Sequence, residues 1–268
     1  MSETNMDGRT VLVTGASSGI GSELADVAAA DGHDVVLTAR REERLAELAE
    51  ELETSHGIRA TVIPQDLAVR NAAENLFDAV RDEGIEIHTL VNNAGIPQYG
   101  GFLETGRDAE RDMMQLNMIT LTELTKRFGR EMSARGDGAV LNTASLAAFY
   151  PIPNKAVYAA TKSYVLSFSR ALAHELEPEG ITVTALCPGV VETEYAERGN
   201  VDDSNTMEGI TNDPRTVAKA GWEGLQKGER IVLPSRFATY GAQVKRFLPR
   251  KTVTKLGEST VEEGQSWF

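Results

Sequence analysis

Short apolar runs rich in β-branched residues alternate along the chain with longer segments whose apolar residues recur every three or four positions. The first pattern predicts buried strands, and the second predicts amphipathic helices. Seven runs predict strands: TVLVTG (10–15), DVVLTA (34–39), ATVIPQDL (60–67), IHTLVNNAG (87–95), GAVLNTAS (138–145), ITVTALCPG (181–189) and ERIVLPS (229–235). Five segments predict helices: 17–32, 41–57, 71–84, 108–134 and 155–176.

Strands that alternate with helices of this length predict βαβ units and a parallel sheet. We therefore expect an α/β protein, with a single Rossmann-type doubly wound sheet of about seven strands and helices on both faces. Right-handed crossovers bring the carboxyl ends of the strands to one edge of such a sheet, where ligands bind. We expect one domain, 1–268, with a core of 8–233 and a C-terminal extension of 234–268. The segment 190–212 has no clear period and is a candidate for a mobile lid.

Charge and composition narrow the possible partners and the cellular compartment. The net charge of −13 argues against nucleic-acid binding through phosphate neutralisation. The single cysteine, Cys187, cannot form an intramolecular disulfide, and the apolar run around it predicts a buried thiol. No apolar stretch is long enough to span a membrane, and the polar N-terminus does not resemble a signal peptide. We therefore expect a cytoplasmic protein.

The first predicted strand leads directly into TGASSGIG, residues 14–21, which opens the first predicted helix. Glycines let the backbone turn tightly and approach a pyrophosphate closely, and the helix offers free N–H groups and the positive end of its dipole. A glycine-rich turn alone is weak evidence, but a strand before it and a helix after it form the required context. The turn therefore predicts dinucleotide binding.

This turn, with its Gly-x-x-x-Gly-x-Gly spacing, resembles that of the short-chain dehydrogenases/reductases. The resemblance extends over residues 8–233 and includes motifs in the family's order: Asn92-Asn93-Ala94-Gly95, Asn117, Ser145, Tyr158 with Lys162, and Pro188-Gly189 with Thr193. It implies an oxidoreductase without a metal site, which assembles as a homodimer or homotetramer through its fourth and fifth helices.

Tyr158 and Lys162 lie four residues apart, so one face of the fifth predicted helix carries both side chains. A tyrosine pKa of about 10 makes a poor proton shuttle at neutral pH, but a nearby ammonium favours the tyrosinate. Spacing alone would also fit an ordinary surface pair. The resemblance implies that Tyr158 transfers the proton and that Lys162 also holds the nicotinamide ribose. It further implies that Ser145 orients the substrate carbonyl and that Asn117 supports a water in the proton relay.

The resemblance also implies a set of cofactor-binding residues, which lie in the glycine-rich turn, at strand ends and in the catalytic helix. They are Gly15, Ser17, Ser18, Gly19, Ile20, Gly21, Arg40, Arg41, Asp66, Leu67, Asn93, Ala94, Gly95, Tyr158, Lys162, Pro188, Gly189, Val191 and Thr193. Among them, Thr193 is expected to bind the nicotinamide carboxamide. Asp66 is expected near adenine, although it could also cap a helix.

The end of the second predicted strand indicates which cofactor is used. NAD-binding members of the family carry an acidic residue there, but in this chain Ala39 is followed by Arg40 and Arg41. A neutral residue removes repulsion toward a 2′-phosphate, and Arg40 can bind that phosphate with fork geometry. We therefore expect NADP(H) rather than NAD(H), with Arg40 as the primary contact. Both arginines could instead be solvated first-turn residues, although basic charge is unfavourable at a helix N-terminus.

The substrate is less well defined by the sequence. The residues that flank the motifs and could line a pocket carry no charge: Ile96, Tyr99, Leu146, Phe149, Val190 and Tyr195. They favour a small, apolar or weakly polar carbonyl or alcohol. A 3-oxoacyl thioester is the second hypothesis, and a catalytically inactive NADP-binding regulator is the alternative from a different class.

The C-terminal part differs chemically from the rest of the chain. Residues 228–268 carry seven basic and four acidic side chains, with aromatic residues between the basic ones. Such a segment could contact an anionic membrane or an acyl chain. Docking on the domain or on a partner subunit is the favoured interpretation.

Overall fold

The computed structural model of the chain describes residues 9–191 and 213–234, together with Thr254. Its β-strands are β1 (Thr10–Thr14), β2 (Asp34–Thr38), β3 (Ala60–Val62), β4 (Thr89–Asn92), β5 (Gly138–Thr143), β6 (Ile181–Leu186) and β7 (Ile231–Val232). Its α-helices are α1 (Gly19–Ala30), α2 (Glu42–His56), α3 (Ala72–Asp82), α4 (Arg107–Met114), α5 (Leu121–Arg135), α6 (Ala156–Glu175) and α7 (Pro214–Gln226). A π-helical segment, Gln115–Thr120, joins α4 to α5, and 3₁₀ turns lie at Leu146–Phe149 and Glu177–Glu179.

The strands form one parallel sheet in the order β3-β2-β1-β4-β5-β6-β7. One apolar layer packs α1, α2 and α7 on one face, and a second packs α3, α5 and α6 on the other. The expected doubly wound, Rossmann-type sheet is therefore confirmed. Because the strand order reverses on either side of β1, a crevice opens between the carboxyl ends of β1 and β4.

All seven strands are shorter than the runs that predicted them, and β3 and β7 are the shortest. The run at 60–67 forms a strand only to Val62, although the Ile63 and Gln65 N–H groups still donate to the Leu37 and Ala39 carbonyls on either side of Pro64. At the other edge of the sheet, the run at 229–235 is reduced to β7, and Pro234 follows closely. These two strands lie at the edges of the sheet, where one neighbour is missing.

Helix α7 was not predicted, although its N-terminus carries a clear local signal. The Asp213 carboxylate accepts a hydrogen bond from the Thr216 N–H at 2.9 Å, and Pro214 occupies the first helical position. Its apolar face includes Trp222, which is 1% exposed and packs in the same layer as α1. This helix completes the crossover between β6 and β7.

Some expectations fall on residues that the structure does not describe. Thr193, Tyr195, the lid segment from residue 192 to 212, and the C-terminal extension beyond Pro234 lie outside the described residues, with the exception of Thr254. Within the part of the chain that is described, no helix combines the length and the apolar character needed to cross a membrane.

Candidate active site

The glycine-rich turn follows β1 at the carboxyl edge of the sheet. Gly15 has a φ of 70°, and its N–H donates to the Thr38 carbonyl on β2 at 2.8 Å. A side chain at Gly21 would collide with the Gly15 carbonyl and the Asn93 amide, so α1 lies directly against the turn. Gly19, with a φ of 62°, lets the chain enter α1. These glycines build the turn through the backbone, as the sequence predicted.

The N-terminus of α1 has the properties of an anion-binding site. Ser18 occupies the N-cap with extended backbone angles, and its side chain makes no capping bond. No acidic residue lies in the first turn of this helix. The first N–H groups and the positive end of the dipole therefore remain available to a phosphate, so the turn fits a dinucleotide.

The far side of the crevice is fixed to the turn by one threonine hydroxyl. Thr14 Oγ1 donates to the Val91 carbonyl at 3.2 Å and accepts from the Asn93 and Ala94 N–H groups, both at 3.0 Å. Asn93 Nδ2 also donates to the Thr14 carbonyl at 3.2 Å. The end of β4 is thereby attached to the end of β1, which sets the width of the crevice.

The two arginines after β2 differ in position. The Arg41 guanidinium reaches the glycine-rich turn, where it donates to Ser18 Oγ at 2.8 Å and to Ser17 Oγ at 3.1 Å. Arg40 is exposed. Arg41 is thus already part of the turn, whereas Arg40 extends from the end of β2. The assignment of Arg40 as the primary phosphate contact stays a prediction.

Asp66 and Leu67 lie in the loop after β3. Asp66 is exposed, and its Oδ1 accepts from the Ala68 N–H at 3.0 Å, so it caps a local turn. Leu67 is buried, and its carbonyl accepts from Thr120 Oγ1 at 2.9 Å. Asp66 therefore does not cap a helix, since the N-cap of α3 is Asn71, and its contact with adenine stays a prediction.

The Lys162 ammonium is buried at the end of β5. The residue is 4% exposed, and its Nζ donates to the Thr143 carbonyl at 2.8 Å. Burial lowers the pKa of Lys162 to about 8, because the charged form loses hydration. The same Nζ lies 5.9 Å from the centre of the Tyr158 ring. The charge that the sequence argument required therefore lies next to the phenol.

Ser145 lies at the end of β5, where it caps the 3₁₀ turn Leu146–Phe149. Its Oγ accepts from the Ala147 N–H at 3.1 Å, which leaves the hydroxyl proton able to point toward another acceptor. The 3₁₀ turn is attached to α6 because Ser163 Oγ donates to the Ala148 carbonyl at 2.9 Å. Ser145 and the Tyr158–Lys162 pair are therefore held on adjoining segments at one edge of the sheet.

Asn117 lies in the π-helical segment, so the long helical segment predicted at 108–134 is present, with a change from α- to π-helical winding at this point. The Asn117 amide accepts from the Ile96 N–H at 2.9 Å and donates to the Ile96 carbonyl at 3.1 Å. It also donates to Thr161 Oγ1 at 3.2 Å, and Thr161 donates to the Tyr158 carbonyl at 2.8 Å. The side chain therefore joins the loop after β4 to α6. Its role in a proton relay stays a prediction.

The segment after β6 closes the site beside Ser145. The Pro188 carbonyl accepts from the Leu146 N–H at 2.8 Å, Gly189 follows, and Val191 packs against the core of the α1 face. Cys187 is fully buried, as predicted. Burial raises the pKa of its thiol to about 12, so it stays protonated.

The residues expected to line a substrate pocket surround this edge. Tyr99 and Val190 are partly exposed, at 39% and 42%, and Ile96 is held by Asn117. Leu146 and Phe149 lie on the 3₁₀ turn. Sequence reasoning missed Lys155, whose Nζ lies 5.6 Å from the centre of the Tyr99 ring. It also missed Thr143, which acts through its backbone carbonyl, and Thr161, whose hydroxyl bridges Asn117 and Tyr158. Neither role requires a recognisable sequence motif.

This fold and site define a dinucleotide-dependent oxidoreductase. A family model described as short chain dehydrogenase matches residues 9–203, and the chain belongs to this family.

The similarity to individual members extends over most of the chain. The chain is 33% identical to a very-long-chain 3-oxoacyl-CoA reductase of Anas platyrhynchos over 97% of its own length and 82% of that protein. It is 30% identical to 17-beta-hydroxysteroid dehydrogenase type 3 of Mus musculus, over 90% and 81% of the two chains. A short-chain dehydrogenase from Sphingobium yanoikuyae in complex with NADPH superposes with a TM-score of 0.81 at 32% identity, over 89% and 93% of the two chains.

Proposed function

We propose that this protein is an NADP(H)-dependent oxidoreductase that interconverts a carbonyl and an alcohol, with Tyr158 as the general acid and base. One observation carries the proposal. The buried Lys162 ammonium, fixed to the Thr143 carbonyl, lies beside the Tyr158 ring next to the Ser145 turn. Burial of a lysine is costly, and such perturbed groups concentrate at functional sites.

When bound, the nicotinamide supplies or accepts the hydride at the substrate carbon. The chain supplies the proton and the orientation. Ser145 donates to the substrate oxygen, and the Tyr158 hydroxyl gives its proton to that oxygen during reduction or removes it during oxidation. The Lys162 ammonium stabilises the tyrosinate that remains, because an opposite charge nearby favours the ionised form.

The glycine-rich turn and the N-terminus of α1 would hold the pyrophosphate. Arg40 and Arg41 together support a preference for NADP(H), because both follow the end of β2, where an acidic side chain is absent and a guanidinium could bind a 2′-phosphate. The Sphingobium relative was solved with NADPH, which supports the same choice. Asn93, Ala94 and Gly95 would line the crevice beside the adenosine ribose.

The decisive experiment follows NADPH oxidation with a panel of ketones and aldehydes. Tyr158→Phe should lower kcat by about 10²- to 10⁴-fold, because it removes the proton donor. Tyr164→Phe is a matched control, since Tyr164 lies on the same helix and its hydroxyl bonds instead to Thr122. Turnover that survives in Tyr158→Phe would overturn the assignment. Cofactor binding without any turnover would identify a regulator instead.

A 3-oxoacyl thioester is the second candidate substrate. The very-long-chain 3-oxoacyl-CoA reductase supports it, whereas the steroid dehydrogenase supports a free ketone or alcohol. Comparing kcat/KM for 3-oxoacyl-CoA substrates and for free ketones of equal chain length separates the two. A preference for the free ketone would exclude the thioester.

We also propose a cytoplasmic homodimer or homotetramer. Ile119, in the π-helical segment, and Tyr164, on α6, are exposed at 45% and 38%, and the Tyr164 hydroxyl bonds to Thr122 on α5. An apolar surface of this kind supports a subunit contact. Light scattering should give a mass of at least twice that of one chain, and a monomer at working concentration would refute the assembly.

A further inference from the structure

A continuous chain of side-chain hydrogen bonds runs beneath the catalytic edge from α5 to α6. Asn92 Nδ2, at the end of β4, donates to Thr125 Oγ1 on α5 at 3.0 Å and to Asn142 Oδ1 on β5 at 2.9 Å. Asn142 Nδ2 donates in turn to Ser169 Oγ on α6 at 2.9 Å. We call these four residues, Thr125, Asn92, Asn142 and Ser169, the polar relay.

The polar relay lies entirely within the protein interior. Thr125 and Asn92 are each 3% exposed, and Asn142 and Ser169 are 0% exposed. The two terminal hydroxyls also donate to carbonyls of their own helices, each at 2.7 Å. Because an unpaired polar group is costly in such surroundings, each member restrains the next. The relay therefore fixes both helices relative to β4 and β5.

The polar relay is attached to the same helix and the same strand as the catalytic lysine. Asn142 directly precedes Thr143, whose carbonyl holds Lys162 Nζ. Ser169 lies seven residues after Lys162 on α6, about 10 Å further along the helix axis. Two neighbouring residues of β5 thus hold α6 at two separate points, and two points fix both the axial position and the rotation of a helix.

We propose that Asn142 and Ser169 are positioning residues for the proposed reaction, because their bond sets where α6 presents Tyr158 and Lys162 relative to Ser145. This inference rests on the proposed function. Neither residue touches the substrate edge. Loss of the bond shifts the phenol and the ammonium away from the Ser145 hydroxyl, and a displacement of about 1 Å can cost about 10²-fold in rate.

Ser169→Ala tests the inference, with Thr184→Val as a matched control. Thr184 is also fully buried and donates one hydrogen bond to a carbonyl, that of Glu229 at 2.7 Å, but it lies on β6 outside the relay. Ser169→Ala should lower kcat about tenfold with little change in KM, because it misplaces reacting groups without removing a substrate contact. Thr184→Val should lose comparable thermal stability and keep its kcat.

A pH profile separates positioning from simple destabilisation. In the direction of alcohol oxidation, kcat rises as Tyr158 ionises. A more distant ammonium stabilises the tyrosinate less and so raises the pKa of Tyr158. In Ser169→Ala, the rise of kcat with pH should therefore occur at higher pH than in the unmodified protein. Ser169→Thr keeps the hydroxyl and should restore the profile. If Ser169→Ala melts earlier but keeps both kcat and the profile of the unmodified protein, the inference is wrong.

Two further measurements keep the inference testable. Should Ser169→Ala fail to fold, Ser169→Cys retains a weak acceptor and should show a smaller shift of the same limb, while an unchanged limb would overturn the idea. Should the unmodified protein show no Tyr158-dependent turnover, the proposed function has failed. In that case, amide hydrogen exchange in residues 156–164 tests whether the bond fixes this part of α6. Faster exchange in the Ser169 variant than in Thr184→Val supports the inference, and equal exchange contradicts it.

Discussion

The nucleotide half of the sheet, β1–β3 with α1 and α2, and the catalytic half, β4–β6 with α5 and α6, are held together differently. In the nucleotide half the critical contacts are between backbone atoms, as in the turn where Gly15 bonds to Thr38 and α1 packs on Gly21. In the catalytic half, a buried lysine and buried amides cross between strands and helices. The first half depends on positions that must lack a side chain, beside the bonds of Thr14 and Arg41, whereas the second half depends on buried polar side chains.

This difference explains why the two halves respond differently to substitution. A backbone site tolerates changes in its apolar core but not an added atom at a glycine. A site built on buried polar groups carries a desolvation cost that lowers the stability of the fold but serves function, as for Lys162. Destabilising elements should therefore be concentrated in the catalytic half.

The largest expected effect is on turnover. Lys162→Met keeps the length of the side chain but removes its charge, so kcat should fall by about 10²- to 10⁴-fold. Steady-state kinetics measures the loss, and Lys126→Met, an exposed lysine on α5, serves as the control. Equal activities of the two variants would remove Lys162 from the catalytic set.

The same variant should gain stability while losing activity. Folding lowers the pKa of Lys162 from 10.5 to about 8, so the folded state disfavours its charge below pH 8. That penalty, on the order of 3 kcal/mol, is relieved as the pH rises from 8 to 10.5, where the unfolded chain binds the extra proton. Lys162→Met avoids the penalty but loses a charge-assisted hydrogen bond to the Thr143 carbonyl of about 1.5–3 kcal/mol.

Chemical unfolding at several pH values measures how the free energy of unfolding of the variant and of the unmodified protein depends on pH. At pH 7 the variant should be more stable by up to about 1.5 kcal/mol, and its advantage should shrink toward pH 10.5. A variant that is less stable at every pH would show that the buried ammonium stabilises the fold.

A smaller effect is expected from the nucleotide half. Gly21→Ala forces a methyl group against the Gly15 carbonyl and should lower the free energy of unfolding by about 1–3 kcal/mol while weakening cofactor binding. Gly129→Ala on α5 is the control, since no atom lies within 4 Å of the added methyl. It should stabilise by about 0.5–1 kcal/mol. Thermal unfolding and cofactor titration compare the two.

The smallest effect concerns cofactor choice. Arg40→Ala should raise the KM for NADPH roughly tenfold and leave that for NADH nearly unchanged, because only NADPH carries the 2′-phosphate. Arg41→Ala should affect both cofactors, since Arg41 also bonds to the serines of the turn. Equal losses for both cofactors in Arg40→Ala would refute its assignment to the phosphate.

The sequence was informative where structure follows from local pattern. The alternating runs predicted the strands and their parallel arrangement, because strands that alternate with helices of this length form βαβ units. The missed helix α7 had its own signal in Asp213-Pro214. The π-helical segment at Asn117 had none, because its geometry depends on bonds to Ile96 and Thr161, residues distant in the chain.

Long-range polar contacts were the part that the sequence could not supply. Asn92 and Asn142 are 50 positions apart, and neither belongs to a motif that predicts their bond. The same holds for Arg41, whose guanidinium turned out to contact Ser17 and Ser18. Which polar side chains bond to each other depends on which residues the folded backbone brings close together.

The buried state of Cys187 has a practical consequence. Alkylating reagents attack the thiolate, and this sulfur stays protonated and out of their reach. A second cysteine introduced at an exposed position such as Leu103, which is 94% exposed, would then be selectively labelled by a fluorophore. A label at this position would therefore report on the loop between β4 and α4 without interference from the native cysteine.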